Sequence, residues 1–210
     1  MKKISLLVLL FSIQLFAQEV KSTTNSFFDD SELKEYSLAN ILVDGEVENA
    51  GTIELGTLPL SRIAIKEVDF INGKDKIKGA YFYSGYSLHD IINSKTVKKA
   101  NEKDFKPYVD MYVVVSNNKG EKAVYSWGEI YYTRDNFKTL LAKNVRAINP
   151  SKMKMKWPLP EEPRIICAND AFNSRFISSP TKITVKSFEG TFSSEKKENM
   201  YSPQIILKTE

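Results

Sequence analysis

With one cysteine and one histidine among 210 residues, this chain offers little for metal or nucleophilic chemistry. Cys167 has the type of a thiolate ligand or a nucleophile, but it ends the apolar run Arg164-Ile165-Ile166-Cys167, where a small core side chain is the plainer expectation. His89 stands alone and reads as a surface or capping residue, and a conventional transition-metal cluster lacks the donors it needs. No G-x-S-x-G, H-E-x-x-H or P-loop pattern is present, so no residue is assigned a catalytic role. Tyr81, Phe82, Tyr83, Tyr86 and Tyr125 form an aromatic set whose polar tips suit stacking and hydrogen bonding in a cleft. The same side chains suit a core and its rim. Lys152-Met153-Lys154-Met155-Lys156-Trp157 alternates cations with apolar residues, which fits an extended segment with one wet face or, alternatively, an anion or membrane patch.

The elements that must position these residues are mostly strands. Thr52-Ile53-Glu54-Leu55, Arg62-Ile63-Ala64-Ile65-Lys66 and Thr181-Lys182-Ile183-Thr184-Val185-Lys186 alternate apolar and polar residues, the signature of a strand with one buried face. Ile183 and Val185 are expected to point inward. Asn72-Gly73 predicts a tight hairpin turn, followed by a lysine-rich connection to Ala80-Tyr81-Phe82-Tyr83. The apolar run at 111–115 predicts a strand buried on both faces, joined through Asn117-Asn118-Lys119-Gly120 to a partner at Ala123-Val124-Tyr125. Ser87 and Ser126 are N-cap residues for short helices over 88–93 and up to Tyr132. A short helix is predicted over 31–36, helix then strand over 140–148, a strand over 164–168 and an edge strand over 204–207. The fold class is α+β and β-rich, a single domain of mixed sheets with a few short helices.

The amino terminus reads as a Sec-type signal peptide over 1–17. Lys2 and Lys3 precede an apolar run of about 13 residues, Ala17 supplies the small residue before cleavage, and Gln18 begins the polar mature chain. A spanning helix needs roughly 20 apolar residues, so no stable membrane anchor is expected after cleavage. No cysteine stands near the cleavage point to take a lipid. The protein is therefore expected in the periplasm or secreted, with a single thiol and no intramolecular disulfide. Residues 18–38 read as a flexible leader, 39–190 as the domain and 191–210 as a tail. The formal charge of +4 includes Lys2 and Lys3, so the mature chain carries about +2, scattered in both signs. That distribution excludes a nucleic-acid footprint.

Four segments in order resemble the molybdopterin-binding domain of sulfite-oxidase-type oxidoreductases. Val43-Asp44-Gly45-Glu46-Val47-Glu48-Asn49 is similar to the family's opening V-x-G-x-V-x-N-P turn. Tyr83-Ser84-Gly85-Tyr86-Ser87-Leu88-His89-Asp90-Ile91-Ile92 resembles its Y-x-G-V-P-L-R-D-L-L strand-to-helix passage. Val113-Val114-Val115-Ser116 with Val124-Tyr125-Ser126-Trp127-Gly128-Glu129-Ile130 resembles its hairpin and helix start. Pro163-Arg164-Ile165-Ile166, Asn173-Ser174-Arg175-Phe176-Ile177 and Thr181-Lys182-Ile183-Thr184-Val185 resemble its closing motif.

The resemblance implies a molybdenum ligated by a cysteine thiolate at the end of the strand before Y-x-G. Here that strand reads Ile65-Lys66-Glu67-Val68-Asp69-Phe70-Ile71-Asn72-Gly73, with no cysteine. Arg175 matches an arginine in the region that contributes to binding the anionic cofactor, and Tyr83 and Tyr86 flank the Y-x-G turn. These three are the candidate cofactor-binding residues, and no metal ligand is assigned. The expected function is a non-catalytic, cofactor-free exported relative that binds a small molecule or a protein partner. One alternative is an active molybdopterin oxidoreductase with altered ligation, through Asp69 or Cys167. Another is a structural secreted β-protein without a ligand. The Lys2-Lys3 n-region lacks the twin arginine that would export a folded, cofactor-loaded enzyme, which agrees with the missing thiolate.

Overall fold

Strand pairing dominates the architecture. The computed structural model describes residues 31–149 and 156–189. The expected signal peptide, the expected leader through residue 30, most of the Lys/Met run and the expected edge strand at 204–207 lie outside the described residues. The first sheet is antiparallel throughout. Its order is β1 (Leu33–Glu35), β8 (Thr139–Ala147), β5 (Lys74–Ser87), β4 (Ser61–Ile71), with β9 (Ile165–Cys167) also paired to β8. The second sheet runs β3 (Gly51–Ile53), β2 (Ile41–Gly45), β10 (Pro180–Ser187), β6 (Met111–Asn117), β7 (Lys122–Ser126). It is mixed, because β10 lies parallel to β2 and antiparallel to β6. The protein is strand-rich, with two sheets and few helices, and matches the expected class at that level.

Local chemistry explains several elements. Asn72 and Gly73 both take positive φ, 52° and 74°, and turn β4 back into β5 with the twist a hairpin requires. Ser87 caps α1 (Leu88–Asn93) by accepting from the Asp90 amide. Ser126 and Glu129 make a reciprocal capping box at the start of α2 (Trp127–Tyr131). Ile183 and Val185 are buried, as the alternation of β10 predicts.

Two cores result. The first lies between the inner face of the second sheet and α1, α2, β8 and β9, and includes Val43, Val113, Val115, Ile91, Ile130, Tyr86, Tyr125 and Cys167. The second is built on the opposite face of the first sheet from Tyr36, Ile63, Tyr81, Tyr83, Val145 and Ile166, with Trp157 and Leu159 packed against it. Alternation along β5 serves both, with Tyr81 and Tyr83 facing one core and Tyr86 the other, and the register shift opposite Ser84 and Gly85 places an extra residue, Lys143, in β8. Gly85 is required there: a Cβ would stand 1.9 Å from the Leu141 carbonyl oxygen.

Five local expectations are corrected. The segment expected to be a helix over 31–36 is β1, pairing with β8 and carrying Tyr36 into the second core, so ordered structure reaches into the expected leader. Residues 139–147 are one strand rather than helix then strand. Leu140 and Leu141 face different cores, and burial of both faces removes the alternation that would have marked it. Conversely, β6 alternates between buried and half-buried positions instead of being buried on both faces. The lysine-rich connection after Gly73 is the first half of β5, and the strand at 52–55 stops at Ile53, followed by a 3-10 turn over Leu55–Thr57.

Candidate functional site

Arg175, Tyr83 and Tyr86 do not converge on one cleft. Each belongs to a different environment, set by a different element.

Arg175 ends the 3-10 turn Asn173–Arg175 and closes over the end of β7. Its Nε donates to Asp170 Oδ2 at 2.8 Å, Nη1 to Glu129 Oε1 at 2.9 Å and to the Val124 carbonyl at 3.0 Å, and Nη2 to Glu129 Oε2 at 3.1 Å and to Asp170 Oδ1. The guanidinium lies 4.8 Å over the Tyr125 ring, whose hydroxyl donates to the Arg175 carbonyl at 2.6 Å. Bonds to Asp170 and then Glu129 push the Arg175 pKa still higher, so it is a permanent cation whose charge is already answered. Its Nη2 also lies 3.6 Å from Cys167 Sγ. That sulfur is 1% exposed and accepts from Thr139 Oγ1 at 3.5 Å; burial raises the thiol's pKa and keeps it protonated.

Tyr83 is fully buried at 0% and donates its hydroxyl to Glu67 Oε1. Glu67 is 2% exposed and lies on β4 opposite a bulge in β5, where Lys78 is the extra residue, with Arg164 Nη1 donating to its other oxygen at 3.2 Å. Burial raises the Glu67 pKa above the usual carboxylate range, against the Tyr83 hydrogen bond and the Arg164 charge. Burial likewise raises Tyr83, beyond any working range, and brings Tyr36 and Tyr81 to about 12. Tyr36 and Tyr81 donate to the Pro160 and Pro158 carbonyls at 2.8 and 2.7 Å, so this group of tyrosines ties the 157–160 segment to the sheet. Asp69, the alternative oxygen ligand, is paired with Lys78 at 3.3 Å and accepts from Asn173 Nδ2 at 3.0 Å.

Tyr86 borders a cleft. The cleft has a volume of ≈ 300 Å³ and lies where the two cores meet; Tyr36, Leu38, Asn40, Glu54, Gly56 and Lys143 are among its walls. Its walls mix apolar side chains, Leu38, Leu55 and the tyrosine rings, with the polar Asn40, Glu54 and Lys143. The remaining aromatics divide between the cores: Tyr81 with Tyr83, Tyr125 with Tyr86. Phe82 faces away from both tyrosine neighbours. His89 is half-buried on α1 against Tyr131, with Asp90, Asn93 and Asn136 in reach.

The residue set does not fit a molybdopterin. Strand β4 contains no cysteine, and the buried side chain it carries inward, Glu67, is a carboxylate already bonded to Tyr83 and Arg164. Cys167 is a buried, protonated thiol on β9, and Arg175 has every donor engaged by the protein itself. No family model and no curated protein matches the chain.

Glu67, Arg164, Glu129 and Asp170 hold these groups, and the sequence reading assigns none of them a role in the site. One signal was present. Glu67 stands in phase with Ile63 and Ile65, so a charged side chain occupies an inward position of an alternating strand.

Proposed function

We propose that this chain is an exported, non-catalytic binding module on a scaffold of the sulfite-oxidase molybdopterin-binding kind, taking a small polar molecule in the cleft beside Tyr86. The observation that carries the reading is the contrast among the three candidate residues. Arg175 and Tyr83 are saturated by internal partners, whereas Tyr86 borders open volume flanked by Asn40, Glu54 and Lys143. The alternative of a molybdopterin oxidoreductase is disfavoured by the same saturation. A purely structural β-protein has no need of the cleft.

Gly56 provides the test, because it lines the cleft and a side chain added there meets open space. Protein isolated from its native envelope, by mass spectrometry of what it releases, is expected to yield one compound near stoichiometry and no molybdenum by elemental analysis. Gly56→Trp is expected to lose the compound and keep the fold. Stoichiometric molybdenum overturns the non-catalytic reading. An empty wild-type protein overturns the ligand.

A further inference from the structure

The hairpin of β4 and β5 outruns both cores. Val68 and Gly79 are its last buried residues, and every residue from Phe70 to Lys78 is exposed. The strands stay paired there, Asp69 with Lys76, Phe70 with Asp75 and Ile71 with Lys74, and close on the Asn72-Gly73 turn. At about 3.3 Å per residue the paired tip reaches roughly 10 Å beyond Val68.

The side chains of this tip are not those of a solvated turn. Phe70, Ile71 and Ile77 are 60%, 45% and 53% exposed. Successive residues of a strand point to opposite faces, and cross-strand partners share a face. Phe70 therefore stands on one face with Ile77, which lies opposite Val68, and Ile71 stands on the other with Lys74. Phe172 braces Phe70, with ring centroids 5.2 Å apart. Between residues 66 and 78 the exposed charged side chains are Lys66, Lys74, Lys76 and Lys78 against Asp75 alone. Asp69 is half-buried and held by Lys78 at 3.3 Å and by Asn173 Nδ2 at 3.0 Å.

A protein that docks on one face of a two-stranded ribbon leaves the apolar side chains of the other face in water. A lipid surface entered end-on covers both faces. Its headgroup–acyl boundary admits apolar side chains to a depth of about 5–10 Å, which is the length of this tip. Lysine stems lie along apolar surface while their ammonium groups reach outward, here to lipid phosphates, and each lysine near an anionic leaflet strengthens binding about fivefold.

We propose that the β4–β5 tip docks the protein reversibly on an anionic phospholipid surface. Phe70, Ile71 and Ile77 enter the headgroup–acyl boundary, and Lys74, Lys76 and Lys78 meet the phosphates. This surface is separate from the Tyr86 cleft and goes beyond the function proposed for it.

The test is flotation of the protein, isolated from its native envelope, with vesicles of phosphatidylcholine alone and of phosphatidylcholine and phosphatidylglycerol in equal parts. Binding to the anionic vesicles is expected to be at least about tenfold tighter. Lys74→Gln with Lys76→Gln is expected to weaken it about tenfold or more, and Ile71→Ser about fivefold, each with the urea midpoint of the wild type. Val109→Ser, at an exposed apolar residue away from the tip, is expected to change nothing. Phe70→Trp keeps an aromatic ring and reports depth: its added fluorescence is expected to be quenched by lipids brominated on their acyl chains, in anionic vesicles only. Equal binding to both vesicles, or anionic binding without that quenching, would overturn the proposal. So would Ile71→Ser binding like the wild type. A chain that ignores both vesicles but loses self-association in sedimentation on Ile71→Ser would assign the tip to a second copy instead.

Discussion

A guanidinium has five N–H donors, and at Arg175 each of them faces a protein acceptor. Removing the side chain strands Glu129 and Asp170 beside a buried thiol. Breaking a buried ion pair costs roughly 3–5 kcal/mol, and the 30% exposure of this side chain lowers the figure. Arg175→Ala is therefore expected to cost about 2 kcal/mol, read as a shift of the urea midpoint at constant m-value. An arginine held for an absent ligand would show no loss, or a gain. Glu67 makes a different prediction, in pH. Its folded pKa is raised, so between the ordinary carboxylate value of about 4.3 and that higher value the native state binds more protons than the unfolded chain. Stability attributable to Glu67 therefore rises as pH falls through that window, and the penalty of its charge is fully present above it. Urea midpoints measured across pH for wild type and Glu67→Gln should differ in slope with this sign. Parallel curves would mean that Arg164 and Tyr83 hold the carboxylate charged without cost.

Elements divide by whether their cause is local. The caps at Ser87 and Ser126, the Asn72-Gly73 turn and the β10 alternation were legible because each is decided within a few residues. Strand β8 was not, because its neighbours on both faces come from distant parts of the chain, and β1 was not, because three half-exposed residues carry no period. The site failed for the same reason: Glu129 lies 46 residues from Arg175 and Glu67 lies 97 from Arg164. Glycines expose the difference in one experiment. Gly85 approaches the Leu141 carbonyl, and Gly45 combines φ of 87° with a Cβ position 2.1 Å from the Val185 carbonyl, where β2 meets β10. Alanine at either position must move backbone and is expected to cost about 2 kcal/mol or more by calorimetry. Gly56→Ala faces open space and is expected to stay within about 0.5 kcal/mol of wild type. Equal effects at the three positions would show that the Gly85–Leu141 and β2–β10 approaches are not the constraints described.

At the scale of the molecule, no helix among the described residues covers the second core. Its lid is irregular chain: Trp157 and Leu159 pack on the sheet, while the Tyr36 and Tyr81 hydroxyls grip the Pro160 and Pro158 carbonyls. Tyr36 also follows directly on β1, so the start of the folded chain and the 157–160 segment stabilise one another through the sheet between them. A chain beginning at Ser37 loses β1 and the Tyr36 ring together, leaving a cavity in this core and an unpaired edge on β8. Truncation of a buried aromatic costs roughly 3–5 kcal/mol, so this chain is expected to unfold at a markedly lower urea concentration than one beginning at Ser31. Protease cleavage in the 157–160 segment is expected to accelerate in parallel, because the lid loses one of its two tyrosine anchors. If both chains unfolded alike, residues 31–38 would be the dispensable leader that their polar composition suggests, and Tyr81 alone would suffice to hold the lid.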